Sequence, residues 1–247
     1  ALAAHFHALP AERVSHPLWL LIPAAMIAAP MVLVMAQPDL GTALMIGMIG
    51  IAMLLMAGVH LLYFAGGATT VLVGAPLVLP YLHDYQRRRI DAFLDPSTDP
   101  LGAGYHIMQS KIALGSGGAS GKGFLGGTQS QLDFLPEKHT DFIFTTIGEE
   151  WGFVGSIGVL VLFAMLVAVL MVMAVSTASR FGRLLTAGSA ITVFGYAAIN
   201  IGMVSGAVPV VGVPLPFISY GGTSMMTLLC GLGLAMSAWV HRDEGKG

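Results

Sequence analysis

The sequence predicts an all-α protein, a polytopic bundle of transmembrane helices with one large loop. Three observations lead there. Of 247 residues, 55% are hydrophobic and only 10% are charged, against about 25% charged in an ordinary soluble domain. The mean hydropathy is +0.80. Apolar runs longer than about 18 residues recur along the chain, the length at which a helix crosses a bilayer. They show no strand-like alternation, and only a helix satisfies its own backbone groups in lipid.

The chain opens ALAAHFHAL, without an initiator Met or a preceding charged segment. That is not a signal peptide. It reads as the tail of an interrupted element, in a fragment of a longer membrane protein. Six spans follow, at 18–36, 40–59, 61–82, 151–175, 184–208 and 217–240, within a single transmembrane domain covering 1–247. Each approaches the ~20 residues needed for a ~30 Å hydrocarbon core. Pro23, Pro30, Pro76 and Pro80 predict kinks. Gly47, Gly50, Gly66, Gly67, Gly231 and Gly233 predict close helix contacts. Asp39, in QPDLGT, predicts a turn or helix start. Cys230 is the only cysteine, so no disulfide forms within the chain, and it packs as a small apolar residue. A net charge of -2 gives no footing for nucleic acid.

Between the third and fourth spans lies a loop, 83–141, too long to be a mere connection. Aromatic and apolar residues recur in it (Tyr85, Phe93, Tyr105, Phe124, Phe134), so it folds against the membrane surface rather than staying disordered. Arg87, Arg88 and Arg89 follow the third span closely, which leaves the charge bias that sets orientation ambiguous. These arginines contact either lipid headgroups or an anionic ligand. GKGFLG at 121–126 has the spacing of a dinucleotide fingerprint but no strand before it, and Lys122 lacks the surroundings of a P-loop lysine. The glycines of this stretch instead let the backbone turn tightly or approach a neighbour. In PEKHTD, an extended backbone would place Glu137, His139 and Asp141 on one face, where a divalent ion has suitable donors; solvated polar residues are the alternative.

Asp141 immediately precedes the apolar FIFTTIG. It is either a helix N-cap or a carboxylate tuned at the polar–apolar boundary, where desolvation raises its pKa and a nearby cation lowers it, as a general base requires. Glu149 and Glu150, about two turns on, lie at membrane depth and call for a partner; an arginine of the long loop is the expected one. VPVVGVPLPFISYGGTS enters the last span. Its prolines forbid a regular helix, and Ser219, Gly221 and Gly222 fit a broken element lining a cavity. Asn200 and Ser205 fit hydrogen bonds between helices.

AQPDLGTA, the run from HDYQRRRIDAFLDP to LPEKHTDFIF, and NIGMVSGAVPVVGVPLPFISYGGTS resemble, in order and over nearly the whole chain, the SEDS family of cell-wall polymerases. QSKIALGSGG and DPLGAGYH favour its RodA-like branch over the FtsW-like branch, which shares HTDFIF and SYGG. The resemblance implies about ten helices in the complete protein, of which this chain holds the last six and the tail of a fourth. It implies a bacterial plasma membrane location with the loop outside. The implied activity is glycosyl transfer that joins disaccharide–peptide units from lipid II into glycan strands, with a class B penicillin-binding protein as partner. It puts the family's catalytic aspartate at Asp141.

The leaving polyprenyl pyrophosphate calls for cations or a metal. Arg87, Arg88, Arg89, Lys111, Lys122 and Lys138 are the candidates, arginine being suited to bidentate phosphate contact. No cofactor is required by these motifs, and a divalent cation is admitted. Two other readings of the residues stay open: a transporter moving lipid II across the membrane, and a scaffold that only recruits the transpeptidase.

Overall fold

The structure is a computed structural model describing residues 1–37, 39–78, 80, 84–95, 102–132, 134–135 and 137–243. Among these, every regular element is helical: α1 (Leu2–Ala8), a 3-10 turn (Ala11–Arg13), α2 (Pro17–Met35), α3 (Leu40–Met56), α4 (Leu61–Val78), α5 (Asp84–Leu94), α6 (Ala103–Ser116), α7 (Thr128–Gln131), α8 (Ile143–Ser176), α9 (Arg180–Val204) and α10 (Gly222–Val240). Four of them, α2, α8, α9 and α10, are long and apolar enough to cross a membrane; α3 and Leu61–Leu77 of α4 are shorter apolar helices. Leu61, Leu62, Val71, Leu72, Val73 and Leu77 are all exposed along α4, as lipid-facing side chains must be. The protein is an all-α, polytopic membrane bundle.

The chain forms two compact units, one comprising Ala1–Leu82, Val167–Thr192 and Leu229–Gly247, the other His83–Leu166 and Val193–Leu228. In the first, Phe6 and Leu9 pack with Met53, Val59 and Leu184 in a buried apolar cluster. Arg180 ties its backbone together, donating to the Leu9 carbonyl at 2.8 Å and the Ala57 carbonyl at 3.3 Å. Asp39 caps α3, its Oδ1 accepting from Thr42 N at 3.0 Å. Gly47 and Gly50 allow α3 to meet α2: a Cβ at Gly50 would stand 2.7 Å from Ile27 Cδ1, and one at Gly47 3.3 Å from Met31 Sδ. Gly66, Gly67 and Gly233 face open space instead; a small residue permits close approach but does not compel it. Pro23 and Pro30 lie within α2, and Pro76 within α4.

The second unit contains the segment between α4 and α8, which carries α5, α6 and α7. Its anchor is a break in α8. The apolar run begins its helix at Ile143 rather than at Trp151, and Gly152 interrupts it with φ 65° and ψ -159°. The backbone groups freed by the break pair with the glycine-rich turn after α6. Lys122 N and Gly123 N donate to the Glu149 and Glu150 carbonyls at 3.0 and 2.9 Å; Phe153 N and Val154 N donate back to Gly118 O and Ala119 O at 2.9 and 3.1 Å. A side chain at Gly121 (φ 77°) would collide with the Glu150 carbonyl, and one at Gly152 with Gly121 N. Gly117 and Gly121 of GSGGASGKG thus serve backbone-to-backbone contact with α8, at Gly148 and Glu150.

The boundaries of α9 and α10 also have local causes. α9 starts at Arg180, four residues before the expected span. It ends at Val204, because Gly206 (φ 72°) closes a Schellman cap in which Ala207 N donates to Gly202 O at 2.8 Å and Gly206 N to Met203 O at 3.0 Å. Helix resumes only at Gly222, five residues after the expected Phe217, since Pro209, Pro214 and Pro216 keep the intervening chain irregular.

Candidate functional site

Asp141 sits in the second unit at the entry to α8. It is not the helix N-cap: α8 begins at Ile143, and the first helical amides, Thr145 N and Thr146 N, donate to the Phe142 carbonyl. Three consecutive carbonyls hold its backbone in place. Tyr220 N donates to His139 O at 2.8 Å, Ser219 Oγ to Thr140 O at 2.6 Å, and Asn200 Nδ2 to Asp141 O at 2.7 Å. Ser219 Oγ also accepts from Leu215 N at 2.7 Å, and Asn200 Nδ2 also donates to Val213 O at 2.6 Å. The irregular 207–221 segment is therefore bolted both to α9 and to the turn that carries Asp141.

The Asp141 carboxylate is half-buried over Gly212, whose absent Cβ would stand 3.1 Å from Oδ2. Its pKa is raised above the ordinary aspartate value, first by burial and then by the neighbouring Glu137 charge; the Arg89 guanidinium opposes both. Arg89 Nη1 donates to Val210 O at 3.1 Å, which fixes this cation to the same irregular segment.

The other expected cations go elsewhere. Lys122 Nζ is bonded to Glu149 Oε1 at 2.7 Å and to Thr128 Oγ1 at 2.8 Å. Lys138 Nζ donates to Ser130 O at 2.7 Å. Lys111 lies across Gly206, and Arg87 and Arg88 are exposed on α5. Among these six, Arg89 lies near enough for its charge to lower the Asp141 pKa.

Glu149 takes a lysine partner where an arginine was expected. Its side chain is 0% exposed and accepts five hydrogen bonds: from Lys122 Nζ, Thr128 Oγ1 and Gln129 N on Oε1, and from Ser130 N and Oγ on Oε2. A carboxylate against the first amides of α7 needs no arginine. Glu150 does not anchor a loop cation: among the described residues no group hydrogen-bonds or pairs with its carboxylate.

The divalent-ion arrangement of Glu137, His139 and Asp141 does not form. These residues occupy a turn, closed by Thr140 N and Phe142 N donating to Glu137 O at 3.2 and 3.1 Å, and Thr140 Oγ1 donates to Glu137 Oε2 at 2.8 Å. Alternation on one face needs an extended chain. Among the described residues no three His, Cys, Asp or Glu side chains gather to hold a metal ion.

A cavity of about 820 Å³ adjoins the site, lined by His139, Ile143, Ser219, Tyr220, Gly222 and Met225 among others. His139 and Ile143 flank Asp141 in sequence, while the Asp141 carboxylate itself turns toward Gly212 and Arg89. Ser219, Gly221 and Gly222 line this cavity, as a broken element before the last span should.

Asn200 is the residue that sequence reasoning undervalued. It is fully buried, and the only signal was one amide within the apolar α9. Asn200→Ala leaves the Asp141 and Val213 carbonyls unpaired, at a cost of about 1–3 kcal/mol. It should lower the thermal unfolding midpoint of the full-length protein in detergent. Ser205→Ala should not, because Ser205 is exposed and bonds only to its own helix, at Gly202 O.

The model of FtsW, RodA and SpoVE proteins, described as "Cell cycle protein", matches residues 1–244. The chain belongs to the FtsW/RodA/SpoVE family. Its motif resemblance to RodA-like SEDS proteins is borne out: it is 50% identical to the peptidoglycan glycosyltransferase MrdB of Escherichia coli K12 over 220 residues, 88% of this chain and 59% of that protein. It is 41% identical to the probable peptidoglycan glycosyltransferase FtsW of Geobacter sp. M18 over 203 residues, 82% of this chain and 55% of that one.

Solved structures share the fold. A chain of a peptidoglycan synthase complex that coordinates polymerization and crosslinking matches with TM-score 0.80 and 31% identity, covering 98% of this chain and 67% of that one. The crystal structure of Thermus thermophilus rod shape determining protein RodA matches with TM-score 0.61 and 26% identity, covering 94% and 61%. This FtsW/RodA/SpoVE chain thus spans 59% of the length of its Escherichia coli relative.

Proposed function

We propose that this chain is the C-terminal portion, a single membrane domain, of a glycosyltransferase that polymerises lipid II into glycan strands during cell elongation, with Asp141 as its general base. Its six apolar helices cross the bacterial plasma membrane, and the 83–141 segment lies on the outer face. The observation that carries the reading is the Asp141 carboxylate: half-buried, on a turn pinned through three consecutive carbonyls, raised in pKa, and opposed by the Arg89 charge. The relatives' shared description as peptidoglycan glycosyltransferases supports the reaction class.

In this reading the acceptor sugar hydroxyl gives its proton to Asp141 as its oxygen attacks the anomeric carbon of the donor. The anomeric C–O bond to the polyprenyl pyrophosphate breaks, and the bonding pair leaves with the pyrophosphate. Arg89 is the cation best placed to meet the developing charge, while Lys122 and Lys138 are occupied elsewhere. One carboxylate suffices for a single displacement, in contrast to the pair used by glycosidases. The match to a complex coupling polymerization with crosslinking supports a class B penicillin-binding protein as partner.

The test is lipid II polymerisation by the full-length protein reconstituted with that partner. Glycan strands are expected; transbilayer movement of lipid II without strands would favour a transporter, and neither activity would favour a scaffold.

The pH profile gives a second check. A general base works only when ionised, so the rate falls as pH drops through the raised pKa of Asp141, above the usual aspartate range. Arg89→Gln removes the charge that opposes burial and Glu137, so the acid limb should move to still higher pH. An unmoved acid limb would separate Asp141 from the titrating step. The linked stability has the opposite sense: ionised Asp141 is disfavoured in the fold, so its contribution to stability improves as pH falls through that pKa.

A further inference from the structure

Glu150 takes no part in the site around Asp141. It stands two residues before the break in α8, only 7% exposed, and its carboxylate has no partner among the described residues. Glu150 lines a second cavity, of about 950 Å³, together with Ser120, Phe124, Trp151, Val154, Gly158 and Leu162 among others. The size suits a small amphiphile. Beyond the break, positions 154, 158 and 162 follow one another at helical i, i+4 spacing, and Glu150 lines the same cavity just before it, so the carboxylate heads an apolar channel running along a membrane-spanning helix. Gly158 leaves this channel wide: a Cβ there meets nothing within 4 Å. Phe124 and Trp151, 77% and 60% exposed, stand at the carboxylate end, where aromatic rings favour the headgroup level of a bilayer.

We propose that this groove holds a bilayer phospholipid with a primary ammonium headgroup, its nitrogen on the Glu150 carboxylate and one acyl chain along Val154, Gly158 and Leu162. The charge pattern selects that occupant. Among the described residues no lysine, arginine or histidine lines the cavity, so none of them anchors a purely anionic headgroup there. The carboxylate that lines the groove has no donor among the described residues, a charge at membrane depth favours a partner, and a neighbouring lipid supplies both an ammonium and a chain. The proposal does not rest on the glycosyl-transfer reading, and its readout is independent of polymerisation.

The experiment offers equal amounts of phosphatidylethanolamine and phosphatidylglycerol to the full-length protein in mild detergent and measures bound lipid by native mass spectrometry. The wild type should retain phosphatidylethanolamine in about tenfold preference, the scale of one charge-assisted hydrogen bond. Glu150→Gln should abolish the preference. Gly158→Leu, which fills the channel without touching the carboxylate, should reduce retention of both lipids at an unchanged unfolding midpoint. Equal retention of the two headgroups by the wild type overturns the proposal, as does undiminished retention by Gly158→Leu. It also fails if Gly158→Leu releases a co-purifying protein rather than lipid, since the groove would then hold a partner helix.

Discussion

Asp141→Asn in the full-length protein, assayed with its transpeptidase partner on lipid II, is expected to lower the polymerisation rate by about 10²–10⁴, the usual contribution of a general base. The substitution is nearly isosteric, and the three bonds that hold this turn run to main-chain carbonyls of residues 139–141. Geometry and partner binding should therefore survive, and the unfolding midpoint should stay near that of the wild type or rise slightly, because an ionised half-buried carboxylate has been removed. A wild-type rate in Asp141→Asn would end the general-base assignment. A lost rate with a lost fold would point to the turn rather than the carboxylate, and Asp141→Glu, which keeps the base but lengthens its reach, separates the two by retaining part of the activity.

The largest stability effect belongs to Glu149. Among the described residues its carboxylate is the one acceptor for Gln129 N and Ser130 N, and it is the counterion of Lys122. Glu149→Ala removes all five bonds at once and leaves buried donors facing nothing. A loss of about 3–5 kcal/mol is expected, read as a marked fall in the thermal unfolding midpoint in detergent. Lys122→Ala should cost less, about 1–3 kcal/mol, since Lys122 is 26% exposed and four of the five bonds to Glu149 remain. If Lys122→Ala proves the more damaging, the ion pair rather than the backbone amides holds α7 to α8.

These two neighbourhoods mark where sequence reasoning reached and where it stopped. A carboxylate just ahead of FIFTTIG was visible as a candidate, and its half-burial was legible because polar and apolar runs meet there. The identity of its charged neighbour was not. Arg87, Arg88 and Arg89 are equivalent in a string of letters; α5 brings Arg89 to the Val210 carbonyl while Arg87 and Arg88 are exposed, because successive helical residues point about 100° apart. The metal reading of Glu137, His139 and Asp141 assumed an extended backbone, and two hydrogen bonds to one carbonyl closed it into a turn. Glu149 was recognised as needing a partner, but a lysine 27 residues upstream met it, since the glycine-rich turn docks on the break in α8.

The sequence by itself determined the class of this protein. Apolar runs of bilayer length with few charges leave no fold but helices in lipid, since each backbone amide must find its partner within its own segment. It also determined where helix cannot persist, through the prolines of VPVVGVPLP. Only the tertiary structure decided what the exceptions to that rule do. Gly152 frees backbone groups that residues 118–123 then satisfy, Asn200 spends its amide on two distant carbonyls, and Arg89 reaches the Val210 carbonyl beside the Asp141 site. Each depends on segments far apart in the chain meeting within about 3 Å, the reach of a hydrogen bond. Local pattern carries no information on that scale, because it reports which groups need partners and not which partners the fold brings.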